Sequence, residues 1–162
     1  MKRYDNSRFN RDKHNAQQRK REHDGGGFRC SHCKQFVVIN DMLMGTANRN
    51  HCNWCLWSKH LDIDKGDRRS NCHAGMKPIG LTFRHEGFGR RGEVMLIHLC
   101  SSCSKISINR IARDDPEFKV QEIFTSSPGL DTDTKRILAD NDIYLVSDTD
   151  ADELSAQLFG NS

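Results

Sequence analysis

The side chains able to do chemistry crowd into fourteen positions, RNHCNWCLWSKHLD from Arg49 to Asp62, which hold two cysteines, two histidines, two tryptophans and three charged residues. The two cysteines belong to a wider pattern: Cys30 and Cys33 form one CxxC pair, Cys52 and Cys55 a second, Cys100 and Cys103 a third, and Cys72 stands alone. A CxxC turn brings two thiolates to one tetrahedral cation, and Zn²⁺, about 2.3 Å from each sulfur, is its usual occupant in a reducing compartment. The competing chemistry is a dithiol redox couple. That requires a thioredoxin-like βαβ context, which is missing here, and it uses one pair rather than three.

Spacing then decides which pairs share an ion. Eighteen residues separate Cys33 from Cys52, giving C-x2-C-x18-C-x2-C, a four-cysteine framework of the kind zinc modules use. Cys72, Cys100 and Cys103 are left one ligand short, and a histidine is the residue expected to complete them. His60 lies five residues after Cys55 and twelve before Cys72, within easy reach of the second ion. His98 is the alternative, but aligning FRCSHC with HLCSSC places it where the first knuckle carries the packing aromatic Phe28. The reading is therefore two Zn²⁺ per chain, held by Cys30, Cys33, Cys52 and Cys55 and by His60, Cys72, Cys100 and Cys103. A catalytic ion would instead need the three cysteines to leave a position open to water. His14, His23, His32, His73 and His85 read as solvated or core side chains.

The elements that must position these ligands are short. FVVIN (Phe36 to Asn40) predicts a strand, the stretch around Gly45 and Asn48 a turn, and LWSKH after Cys55 a helix, the order of a treble-clef finger, with Leu56 and Trp57 packing a small core. LTF and VMLIHL predict two strands joined by the basic loop HEGFGRRG. Further on, TDTKRILADND predicts a helix capped near Thr132, IYLV (Ile143 to Val146) a strand, and SDTDADELSAQLF a helix opened by Ser147 or Thr149. DTDAD lacks the glycine and distal glutamate of a calcium loop, and acids in a first turn suit the helix dipole.

Composition sets the frame. Of 162 residues 35% are hydrophobic, too few for a large apolar core, so metal is expected to share in holding the fold. Residues 1–27 carry a formal +4, residues 28–115 carry +6 and residues 116–162 carry −7. The first segment, polar and ending in Gly25, Gly26 and Gly27, reads as a disordered basic arm; the last reads as an acidic α/β extension. The polar start MKRYDNSRFNRDKH and the lack of any apolar run near the roughly 18 residues of a membrane span point to a soluble, cytoplasmic protein. The fold class expected is α+β, a small zinc-stabilised treble-clef or zinc-ribbon-like domain between these two segments.

The order RNHCNWCLWSKHLD, GDRRSNC, MKPIG, IHLCSSC and NRIARDD resembles the bacterial RNHCP-domain family, named for a motif matching Arg49, Asn50, His51 and Cys52. The resemblance covers about residues 28 to 115 and implies a zinc-binding fold with no established activity. The family pattern has Pro where this chain has Asn53, and Gly where it has Lys34 and Ser104. Those glycines matter because a knuckle favours positive φ, which glycine adopts freely.

Function is then sought around the metal. Arg49, Lys59, Arg68 and Arg69 gather near the second CxxC, and Arg84, Phe88, Arg90 and Arg91 in and beside the HEGFGRRG loop. Basic side chains for phosphates, with Phe88, Trp54 or Trp57 to stack on unpaired bases, predict a non-enzymatic module that binds RNA or a ribonucleoprotein such as the ribosome. The alternatives are an HNH-like metal-assisted nuclease using His51, His60 and Asp62, and a protein adaptor using residues 116–162. A nuclease needs an exchangeable ion, whereas four thiolates close a site.

Overall fold

The computed structural model describes residues 26–46, 49–64 and 67–160. The basic arm predicted over residues 1–27 lies outside these, apart from its last two glycines. Gly27, read from sequence as part of that arm, opens strand β1 (Gly27–Arg29), which pairs antiparallel with β2 (Phe36–Val38). Glycine is required there because a Cβ would stand 2.1 Å from the Val37 carbonyl oxygen. A single-turn helix α1 (Asp41–Met44) follows, capped by the Asn40 side chain, which accepts from the Met42 amide at 3.0 Å, and ended by Gly45 at φ 64°.

The larger sheet has four antiparallel strands in the order β3 (Ser58–Lys59), β4 (Gly75–His85), β5 (Arg91–Cys100) and β6 (Ile106–Arg110). The predicted strands LTF and VMLIHL form the long β4–β5 hairpin, paired from Met76 opposite Cys100 to His85 opposite Arg91 with register shifts between Pro78 and Gly80 and between Phe83 and His85. The helix predicted over LWSKH is not formed. Leu56 turns to φ 61° and stops any helical continuation of the knuckle, and Ser58 and Lys59 then extend to pair with Met76 and Gly75.

β5 alternates its side chains between two apolar clusters. Val94 and Leu96 pack with Leu56, Leu81, Val120, Ile123, Val146 and Leu154, while Ile97 packs with Ile79, Ile106 and Leu138. Both clusters draw on the acidic segment, folded as helices α2 (Glu117–Ser126), α3 (Thr132–Asp140) and α4 (Ala151–Phe159). That segment therefore docks on the cysteine-bearing chain and closes the sheet on both faces.

Helix α3 starts at Thr132 as predicted, with Asp131 as its cap, and α4 is preceded by a 3₁₀ turn in which Ser147 and Asp150 form a capping box. IYLV does not become a strand. It runs extended beside β4, and only the Val146 amide reaches across, to the Leu81 carbonyl at 2.8 Å. The apolar pattern of IYLV reflects burial of Val146 and packing of Leu145, not membership of the sheet. No helix among the described residues is long and apolar enough to cross a membrane.

Candidate metal centres

Three turns of one design carry six of the ligands. In each, the amide four residues after the first cysteine returns to that cysteine's carbonyl: Lys34 to Cys30 at 3.0 Å, Leu56 to Cys52 at 2.8 Å and Ser104 to Cys100 at 3.3 Å. In each, the first cysteine's amide donates to the carbonyl five residues on, Gln35, Trp57 or Lys105, at 2.8–2.9 Å. Closing the turn demands a left-handed residue, and Lys34, Leu56 and Ser104 sit at φ 64°, 61° and 58°. The turns follow β1, the His51 bridge and β5, so each pair of thiols projects from the end of an extended segment.

The first two turns face each other. Cys30 Sγ lies 3.7 Å from Cys55 Sγ and Cys33 Sγ 3.6 Å from Cys52 Sγ. At the second centre Cys72 Sγ lies 3.6 Å from Cys100 Sγ, and Cys103 Sγ lies 3.3 Å from His60 Nδ1. Within each group all four ligand atoms lie within 4.8 Å of one another. A tetrahedral Zn²⁺ with metal–sulfur distances of about 2.3 Å places sulfurs roughly 3.8 Å apart, so both groups fit the ion. None of the seven cysteines is in a disulfide. Burial pushes the Cys52 thiol up to about 11 and raises Cys55 as well, with neighbouring thiols adding to the effect, so a cation must displace those protons. Both centres are four-ligand sets of the closed, structural kind.

His60 is thus the eighth ligand, brought in by β3 and held by its amide on the Ala74 carbonyl at 2.9 Å. His98, the alternative, is fully buried with both nitrogens engaged: Nε2 on the Leu56 carbonyl at 2.7 Å and Nδ1 facing the Asn109 amide at 2.8 Å. Burial, with His51 nearby, drives its pKa down to about 3, leaving a neutral ring that ties β5 to the second knuckle.

Beside the first centre lies a buried polar network. The Arg49 guanidinium, its side chain wholly inaccessible, donates to Asp114 and, at 3.3 Å, to Asp115. Asn50 Nδ2 donates to Asn109 Oδ1 at 2.6 Å. His51 Nε2 meets Asp115 Oδ2 at 2.6 Å, and the same carboxylate oxygen accepts from the Ala112 amide at 2.8 Å.

The family model described as RNHCP domain matches residues 25–121, well over half of the chain. The chain belongs to the RNHCP-domain family. No curated protein and no solved structure gives a significant match to it. The RNHCP letters now have separate physical meanings: Cys52 is a metal ligand, and Arg49, Asn50 and His51 each hold the segment that follows β6 or its last turn of strand. Asn53, at the family's proline, donates to Asp114 at 3.4 Å and leaves the knuckle closed.

Arg49 was counted among the phosphate contacts by sequence, and the structure removes it from that set: it is buried and paired with two carboxylates. The remaining basic residues are more open. Lys59 and Arg90 are exposed; Arg69 pairs with Asp67 at 2.9 Å; Arg68 lies 3.7 Å from Asp62; Arg84 lies 3.4 Å from Glu93. Arg91 pairs with Asp150 and Glu153 and lies over the Phe83 ring, 5.0 Å from its centroid. Phe88 is completely exposed, and Trp54 is half-exposed with its Nε1 on the Phe36 carbonyl at 3.1 Å.

The residues set aside for a nuclease are all engaged: His51 is buried against Asp115, His60 belongs to the second centre, and Asp62 accepts from the Arg68 amide at 2.9 Å. Sequence reasoning missed the network partners Asn109, Asp114 and Asp115 as a unit. The available signal was the polar run NRIARDD directly after an apolar strand.

Proposed function

We propose that this zinc-binding module is non-enzymatic and binds RNA or a ribonucleoprotein such as the ribosome, in the cytoplasm, through the end of the β4–β5 hairpin. The carrying observation is Phe88. Its ring stands wholly in water at φ 49°, between Gly87 and Gly89, both also at positive φ. A bulky residue at positive φ is uncommon and costs conformational energy, and exposure of its whole ring gives nothing back to the fold. Such a ring suits stacking on an unpaired base. Arg84, Arg90 and Arg91 belong to the same end of the hairpin in sequence, and the guanidinium groups of Arg84 and Arg91, half-exposed, can exchange carboxylates for phosphates.

The test is binding of the zinc-loaded chain to single-stranded and duplex RNA over a range of salt. Phe88→Ala should weaken single-strand binding by about 1–3 kcal/mol and spare duplex binding. Replacing Arg90 and Arg91 by Gln should reduce the slope of log K against log salt by roughly one unit per lost phosphate contact. Absent or salt-insensitive RNA binding would refute the reading.

A further inference from the structure

The two metal centres differ in how an attacking molecule can reach their sulfur. Cys30, Cys52 and Cys100 are buried, Cys33, Cys55 and Cys72 are half-buried, and Cys103 is the one exposed cysteine of the seven. A depression of ≈ 440 Å³ opens on it, bounded by His60, Ser70, Asn71, Ser104 and Lys105. Within the first centre, by contrast, the two most buried thiols belong to the apolar cluster around Val37.

We propose that Cys103 is an oxidant-reactive position, at which the zinc-bound thiolate attacks a peroxide and the second ion is released while the first stays in place. A metal-held sulfur is a thiolate, the form that acts as nucleophile, and its reactivity then depends on access. The sulfur of Cys103 attacks one peroxide oxygen; the O–O bond breaks, hydroxide leaves, and Cys103 becomes a sulfenic acid. Cys100, in the same knuckle and with its sulfur inside the same 4.8 Å group, then attacks the Cys103 sulfur and expels a second hydroxide. The balance is two thiolates and one hydrogen peroxide giving one disulfide and two hydroxides, with two electrons passing from sulfur to oxygen. Lys105, on the rim of the same depression, places positive charge near the departing hydroxide. Cys72 and His60 remain, too few to close a zinc site. The first centre's four cysteines are buried or half-buried, so its sulfurs are less accessible and its ion is retained.

The experiment uses the full chain loaded with both ions, exposed to graded hydrogen peroxide. Zinc release is followed with a chromogenic chelator, and cysteine oxidation is mapped by mass spectrometry. One equivalent of zinc should leave roughly tenfold faster than the other, with a Cys100–Cys103 disulfide as product. Dithiothreitol with added zinc should restore two ions per chain. Cys103→His keeps four ligands while removing the exposed sulfur, and its second ion should be released as slowly as the first. If that variant holds a single ion, substoichiometric iodoacetamide on the zinc-loaded wild type decides the matter: Cys103 should be alkylated first. Release of both ions at one rate, or first modification at any other cysteine, would overturn the proposal.

Discussion

Lys34, Leu56 and Ser104 occupy the same place in three successive knuckles and share one left-handed conformation, φ 58–64°. For a residue with a Cβ that conformation costs about 1–2 kcal/mol, which glycine avoids at some expense in unfolded-state entropy. Lys34 and Ser104 are exposed, so little is lost with their side chains. Lys34→Gly and Ser104→Gly should therefore each stabilise the zinc-loaded protein by about 0.5–1 kcal/mol, measured by denaturant unfolding at fixed free zinc. Leu56 differs because its side chain is fully buried in the core, so the strain there is retained for packing. Arg49 presents the opposite balance. Truncating it leaves Asp115, wholly inaccessible, without its guanidinium, and Arg49→Ala should cost about 3–5 kcal/mol while zinc content stays at two per chain. Elemental analysis alongside the unfolding curve separates that loss from a loss of metal.

Among the elements, those set by local chemistry were the legible ones. FVVIN, LTF and VMLIHL announced β2, β4 and β5 through β-branched and aromatic runs, and both four-residue ligand sets followed from cysteine spacing with His60 added. LWSKH and IYLV were misread because their state is fixed by distant partners: Gly75 and Met76 draw Ser58 and Lys59 into the sheet, and the β4 edge takes only Val146 of its neighbour. The Arg49 network was invisible for the same reason, since a charge run looks solvated until its partners, 65 and 66 residues away, are placed beside it. The first centre and its hairpin form their own small cluster, Cys30, Val37 and Cys52, apart from the two clusters of the sheet. Cys33→Ser should accordingly lose one zinc and raise amide exchange over β1, β2 and α1, while β4 to β6 and the helices stay protected. Uniform loss of protection would show that the finger and sheet unfold as one unit.

At the scale of the molecule, the acidic segment is the other half of the core. Leu81, Leu96 and Ile97 are fully buried, each worth about 1.5–3 kcal/mol of burial, and the cover over them comes from Val120, Ile123, Leu138, Val146 and Leu154. A chain ending at Asp115 would expose both faces of the hairpin; it should aggregate or unfold without cooperativity even with zinc present, as light scattering and thermal melts would show. Such a cover cannot be read from charge alone, because the net −7 of residues 116–162 hides the apolar stripe that docks. The placing of the ligands along the chain also sets a timetable for biosynthesis. The first ion's donors are all present once Cys55 has been made, the second ion's only after Cys103, and the core closes last, after Leu154. A growing chain can thus complete its first donor set well before its second, from the N-terminal end onward. Fragments stopped after Leu99 should carry no more than one zinc by elemental analysis, and a second ion on such a fragment would show that the order is not built into the chain.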